Sequence, residues 1–277
     1  MIHAPKLLAF DLDGTLLTHD KRISPRNAAA LKAARAAGVH VTIASGRMHE
    51  ATGRYAKQLG LPLDTLIVSY NGARVGPIEG AATYECPVDA CLAQYLIDYT
   101  EAHKLPLNFY YDDVLYVREL NEWTDLYERR TGSVPNPIGS FERFRGVAPT
   151  KLLIINSLEV TNSLVAPMKE HYGDSLYITK TDDEYLEFMN PAANKGAALA
   201  DVASSLGIAR ENCVAFGDNY NDLPMLEWAG WSVGMGNGKA EVKAVASEVA
   251  PDAQQDGVGQ IVERMIADLE AREPALA

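Results

Sequence analysis

The stretch Leu7-Leu8-Ala9-Phe10-Asp11-Leu12-Asp13-Gly14-Thr15-Leu16 constrains the fold more than any other part of the chain. Its apolar half reads as a strand buried on both faces, as in a parallel sheet, and it breaks off into two carboxylates, a glycine and a hydroxyl. If extended geometry persists past Phe10, Asp11 and Asp13 point to one side and Leu12 to the other. Gly14 lets the backbone leave the strand sharply. Two acids at such a place cannot both ionise without a cation or a proton between them. The carboxyl ends of parallel strands are also where open α/β sheets bind ligands. Asp, Gly and Thr are ordinary turn residues too, so this stretch alone is equally well explained as a strand-to-turn junction. A calcium loop is excluded: it needs glycine at its sixth position and glutamate at its twelfth, where this chain has Leu16 and Arg22.

The same junction recurs along the chain. Ser24-Pro25 starts a helix over Arg26 to Ala37, with serine as cap and proline in the first turn, and Gly38 stops it. Val39 to Ala44 is a β-branched strand, which makes a βαβ unit with right-handed crossover. It ends in Ser45-Gly46-Arg47 ahead of a helix from about Met48 to Leu59. A serine and free backbone N–H groups there suit a small anion, although a plain cap explains the serine alone. Leu66 to Ser69 is a buried strand followed by Tyr70-Asn71-Gly72, where Asn-Gly is a turn signal and a site role stays open. Lys195 opens an alanine-rich helix to about Leu206. A lysine there opposes the helix dipole unless an anion compensates. Cys213 to Phe216 is a strand that ends in Gly217-Asp218-Asn219-Tyr220-Asn221-Asp222, with Asp218 and Asp222 one turn apart. A short helix Leu223 to Trp228, a strand Ser232-Val233, the run Gly234 to Gly238, a helix from Lys239, a strand at Glu248 to Ala250 and a helix Val258 to Ala271 close the chain.

Between these halves the pattern changes. Strands are expected at Ala82 to Pro87, Pro106 to Asp112, Val114 to Arg118, Leu152 to Asn156, Leu176 to Thr179 and Tyr185 to Met189. Helices are expected at Asp89 to His103, Glu122 to Thr131 and Val160 to Tyr172, with a proline-bearing connector from Val134 to Pro149. Paired strands argue for an inserted α+β domain with an antiparallel sheet. The expected fold class is therefore α/β: a Rossmann-like parallel core from residues 1–83 and 189–277, interrupted by an α+β insert at 84–188.

Composition narrows the function. With 47% hydrophobic residues over 277 positions the chain can bury a sizeable core, and no apolar run is long enough to span a bilayer. A net charge of −12 argues against broad nucleic-acid binding. Cys86, Cys91 and Cys213 lack metal-ligand spacing and suit a reducing compartment, so a cytoplasmic protein, a monomer or weak homodimer, is expected. Asp11, Asp13, Ser45, Asn71 and Asp218 all follow strands whose ends gather on one sheet edge. Carboxylates, hydroxyls and one lysine suit Mg²⁺ with a phosphate ester, because phosphoryl transfer needs positioning and charge neutralisation.

Asp11-Leu12-Asp13-Gly14-Thr15, Ser45-Gly46-Arg47, Asn194-Lys195-Gly196 and Gly217-Asp218-Asn219-Tyr220-Asn221-Asp222 resemble the four ordered motifs of the haloacid dehalogenase superfamily. The insert resembles the large α+β (C2B-type) cap of the Cof-type hydrolases. Two departures stand out: Asn190 to Asn194 replaces a more usual glycine and serine before the lysine, and Asn237-Gly238 replaces Asn-Ala. The resemblance implies an Mg²⁺-dependent phosphatase acting on a small phosphorylated metabolite. Asp11 would be nucleophile and Asp13 acid and base. The metal would be held by Asp11, the Asp13 carbonyl and Asp218, with Asp222 as ligand or support. Thr15, Ser45, Gly46, Lys195 and Asn221 would hold the phosphate. A phosphomutase on the same scaffold is the second reading, and a non-enzymatic phospho-acceptor module is the third. A receiver module, however, needs neither the insert nor the second acid Asp13.

Overall fold

The computed structural model describes residues 5–272, without the side chain of Arg272. In chain order the elements begin with β1 (Leu7–Phe10), α1 (Pro25–Ala36), β2 (His40–Ile43), α2 (His49–Gln58), β3 (Leu66–Ser69) and β4 (Arg74–Pro77). There follow β5 (Tyr84–Glu85), α3 (Ala90–Ala102), β6 (Leu107–Tyr111), β7 (Val114–Val117), α4 (Glu122–Thr131), β8 (Asn136–Pro137), β9 (Lys151–Ile155), α5 (Leu158–Tyr172), β10 (Tyr177–Asp182) and β11 (Tyr185–Met189). The chain then returns to α6 (Lys195–Ser205), β12 (Cys213–Gly217), α7 (Leu223–Trp228), β13 (Trp231–Gly234), α8 (Ala240–Val245), β14 (Glu248–Val249) and α9 (Gly257–Arg272). Two compact units result: one joins the segments up to Thr83 and from Asn194, and the other is Tyr84–Ala193.

Among the described residues the first unit carries a parallel sheet ordered β14-β13-β12-β1-β2. β1 lies inside it, between β12 and β2, with Leu7 opposite both Cys213 and His40. Alternation along β1 splits the core into two layers, as a two-sided strand requires. Leu8 and Phe10 join the cluster containing Leu31 of α1 and Val262 of α9, whereas Leu7 and Ala9 join Leu199 of α6 and Met225 of α7. The expected cap at Ser24 is present, its hydroxyl accepting from Asn27 N–H at 3.1 Å. β3 differs from expectation. It pairs antiparallel with β4 and touches the β2 segment through one parallel bridge, Ala44 to Val68. The segment Arg74-Val75-Gly76-Pro77 carries a glycine and a proline, which hid β4 in the sequence.

The second unit has its own sheet, ordered β10-β11-β9-β6-β7-β8 among the described residues, and is antiparallel except for the β7–β8 pair. Leu107, Phe109, Leu152, Ile154, Leu186 and Phe188 face a core shared with α3 and α5. The extended segment expected at Ala82 to Pro87 shrinks to β5. The proline-bearing connector is more ordered than expected: it holds β8 and a 3₁₀ turn at Glu142–Phe144, and buries Phe141 and Phe144. Phe109, Tyr110 and Tyr127 are buried in this unit, whereas Tyr84, Tyr95, Tyr111 and Tyr177 are exposed.

Candidate active site

Asp11 continues the β1 ladder by one bond, its N–H donating to Phe216 O at 3.0 Å. Extended geometry ends there, because Leu12 to Leu17 coil through Leu16 and Leu17 N–H bonds back to Leu12 O. Asp11 and Asp13 bond to different cations, Lys195 for the first and Arg47 and Lys21 for the second. Gly14, at φ 82°, makes the coil possible. It also packs so closely on Asp218 that a Cβ would lie 2.4 Å from Oδ2, so a larger residue would strain the backbone and displace that carboxylate.

Lys195 organises the centre. It opens α6 behind the cap Asn194, whose side chain accepts from Ala197 N–H at 2.8 Å. Its side chain is 0% exposed, and Nζ donates to Asp11 Oδ1 at 2.5 Å and to Asp222 Oδ1 at 2.6 Å. The anion demanded by a lysine at a helix N-terminus is thus supplied by two carboxylates. Burial alone would lower the lysine's pKa; Asp11 and Asp222 outweigh it and hold the ammonium charged. Asp222 uses its second oxygen to accept from the N–H groups of Asp218 at 2.9 Å and Asn219 at 3.0 Å, fixing the loop after β12. Asp218 accepts from the Thr15 hydroxyl at 2.8 Å.

Carboxylate oxygens of Asp11, Asp218 and Asp222 lie within 4.8 Å of one another. Burial, together with the repulsion of Asp222, Asp218 and Asp13, pushes the Asp11 pKa well up against the pull of Lys195. Burial and Asp222 push Asp218 up to about 6, although the Thr15 hydroxyl opposes this. Three converging carboxylates carry more negative charge than one buried lysine neutralises. Oxygen donors with an electrostatic deficit of this sign can hold a hard divalent cation.

Asp13 sits apart from that trio. Arg47 grips its carboxylate with two bonds, Nε to Oδ2 at 2.6 Å and Nη2 to Oδ1 at 2.7 Å, and Lys21 Nζ adds a third at 2.6 Å. Burial disfavours the charged carboxylate, yet these bonds and charges outweigh it and hold the pKa at about 2. Arg47 is firmly seated, its side chain 12% exposed and its guanidinium 5.3 Å from the centre of the Tyr55 ring, whereas the Lys21 side chain is 50% exposed. Sequence reasoning quoted Arg47 within its motif but gave it no task, and it did not single out Lys21. An arginine two positions after a strand-end serine was the available signal for the first. The second comes from a loop and is placed only by the fold.

The remaining expected residues gather around this centre. Ser45 is buried, its Oγ accepting from Arg47 N–H at 3.2 Å. Gly46 lies against Asn71, and Asn221 Nδ2 donates to Asn71 Oδ1 at 2.9 Å. The loop after β13 braces the coil: Asn237 Nδ2 donates to Gly14 O at 2.7 Å, and Lys239 N–H donates to Asp218 O at 2.9 Å. Gly238 packs on the Asp218 backbone, where a Cβ would lie 3.0 Å from the carbonyl oxygen.

Residues 8–262 match the family model described as haloacid dehalogenase-like hydrolase. The chain is 30% identical over 277 aligned positions to the pyridoxal phosphate phosphatase YbhA of Escherichia coli, covering 93% of this chain and 97% of that one. It is 29% identical to the 5-amino-6-(5-phospho-D-ribitylamino)uracil phosphatase YitU of Bacillus subtilis, covering 93% and 96%. Among solved structures, TM0651 from Thermotoga maritima superposes with a TM-score of 0.86 at 30% identity, covering 94% of this chain and 97% of that one. This chain belongs to the haloacid dehalogenase-like hydrolases.

Proposed function

We propose that this protein is a cytoplasmic, Mg²⁺-dependent phosphatase that hydrolyses a small phosphorylated metabolite through a phosphoryl group carried on Asp11. The observation that carries the reading is the buried Lys195 bridging Asp11 and Asp222 beside Asp218. In this reading Asp11 after β1 is the nucleophile, Lys195 at the start of α6 is the fixed positive charge, and Asp218 and Asp222 after β12 complete the acid set for a cation. Phosphatase activity in the relatives from Escherichia coli and Bacillus subtilis supports it.

In this reading a carboxylate oxygen of Asp11 attacks phosphorus, the bond from phosphorus to the ester oxygen breaks, and the leaving oxygen takes a proton from Asp13. Water then gives a proton to Asp13 and attacks the same phosphorus, releasing phosphate and restoring Asp11. Asp11, Asp218 and the Asp13 carbonyl, with Asp222 in support, would hold Mg²⁺, which would supply charge neutralisation for the phosphoryl oxygens. Thr15, Ser45, Gly46, Asn221 and Lys195 hold those oxygens. Arg47 and Lys21 stabilise Asp13 as the anion, the form that accepts the proton from water. Donating a proton in the first step requires one of these cations to withdraw, and the exposed Lys21 is the mobile one. In this reading residues 84–188 are the inserted cap.

A panel of sugar phosphates, phosphorylated cofactors and nucleotides, assayed for phosphate release, tests the proposal. Release should require Mg²⁺, stop on chelation, and favour a few small esters. No release from any member with Mg²⁺ present contradicts it.

A further inference from the structure

The turn that ends β3 is the meeting point of three site loops. Tyr70 and Asn71 both adopt left-handed backbone, at φ 51° and 55°, and Gly72 follows at φ 99°. Such geometry is uncommon for non-glycine residues and strained for a bulky aromatic, so it persists only where surrounding contacts enforce it. Tyr70 N–H donates to Arg47 O at 2.9 Å and Asn71 N–H donates to Ser45 O at 3.0 Å, which ties the turn to the loop after β2. Gly72 packs on the residue that caps α6, where a Cβ would lie 2.3 Å from Asn194 O. The buried Asn71 side chain reaches the third loop by accepting from Asn221 Nδ2 at 2.9 Å. Gly46 closes over that contact, since a Cβ there would lie 2.8 Å from the same Asn71 oxygen.

The turn by itself would be served best by glycine, which adopts this backbone without strain. Asparagine tolerates it better than most other residues and brings an acceptor that glycine lacks. We propose that Asn71 is a positioning residue for the phosphoryl-binding cradle. Its carbonyl oxygen binds one N–H of the Asn221 amide and so sets the direction of the second N–H, the donor for a phosphoryl oxygen. This rests on the phosphatase reading of Asn221.

The test is a cycle of wild type, Asn71→Gly, Asn221→Ala and the double variant, assayed with para-nitrophenyl phosphate and Mg²⁺, with inorganic phosphate as inhibitor. Asn71→Gly should melt no lower than wild type, because the strain is relieved. Its KM and phosphate inhibition constant should still rise about tenfold, the scale of a lost hydrogen bond to a charged group. The double variant should be no worse than Asn221→Ala alone, the signature of two residues acting as one. An unchanged KM in Asn71→Gly, or losses that multiply in the double variant, overturns the proposal. If Asn71→Gly fails to fold, Asn71→Ser takes its place, and a folded serine variant with wild-type KM overturns the proposal equally. Failure of the phosphatase reading looks different: the wild type itself releases no phosphate, and the proposal falls with it.

Discussion

Lys195 Nζ lies 2.5 Å from Asp11 Oδ1, although 184 positions separate the two residues in the chain. The parallel sheet makes this possible: β1 delivers the acid, and α6, packed on Leu7 and Ala9 of that strand, delivers the lysine. Because Asp222 shares the ammonium, removing the lysine leaves two buried acids without their cation.

Lys195→Met should therefore lower stability at pH 7 by about 3–5 kcal/mol, the usual cost of breaking a buried ion pair from one side. The loss should shrink toward pH 5, as the stranded Asp11 takes up a proton, and phosphate affinity should fall as well. Urea unfolding at the two pH values measures it. An unchanged midpoint at pH 7 contradicts the role given to Lys195.

The acid trio also sets a pH dependence for the metal-free protein. Asp218 has a folded pKa raised to about 6 and that of Asp11 is raised well above its ordinary value, both chiefly by burial. Raised carboxyl pKa values stabilise the folded state below the unfolded pKa, and that stability is lost as pH rises through about 6. The melting temperature without metal should fall between pH 4 and pH 7 on this account (about the range spanned by the ordinary and shifted carboxyl values). Mg²⁺ binds the ionised acids, so it should raise the melting temperature more at pH 7.5 than at pH 5 (about one to two units either side of that transition). Equal Mg²⁺ shifts at both values contradict a carboxylate site.

Arg47 and Lys21 share Asp13 unequally, one seated and one exposed. Arg47→Met should let the Asp13 pKa climb from about 2 toward the ordinary carboxyl range and misplace the group. Turnover of an alkyl phosphate should fall by about 10²-fold or more, within the range set by general acid–base catalysis. Lys21→Met should cost far less, because exposed pairs contribute little. Steady-state kinetics on alkyl and nitrophenyl esters separates the two, and equal losses contradict the assignment.

Much of this was legible in the sequence because hydrophobic strands followed abruptly by polar residues mark a parallel sheet and its ligand edge. Asp11, Ser45 and Asp218 were picked out that way, Lys195 by its place at a helix start, and Ser24-Pro25 marked its helix. Residues whose task depends on a partner far along the chain were not legible. Lys21 lies in an ordinary polar loop and meets Asp13 only after the coil forms. Asn71 looked like half of an Asn-Gly turn, and nothing local says that its oxygen meets Asn221. β4 hid behind a glycine and a proline, and Phe141 and Phe144 behind a proline-bearing connector, because local propensity does not register burial by a distant core.

The central claim is that Asp11 carries the phosphoryl group and Asp13 carries the proton, and the two should fail differently. Asp11→Asn removes the nucleophile, so neither transfer nor hydrolysis should occur. Asp13→Asn keeps the nucleophile but loses the proton carrier, at a cost of about 10²–10⁴-fold in turnover. With a nitrophenyl ester the leaving group needs little acid assistance, while water activation in the second step is still missing. Mass spectrometry of samples quenched after rapid mixing with nitrophenyl phosphate and Mg²⁺ should show the Asp13 variant carrying one phosphoryl group and the Asp11 variant carrying none. A phosphorylated Asp11→Asn protein, or wild-type turnover by it, contradicts the account.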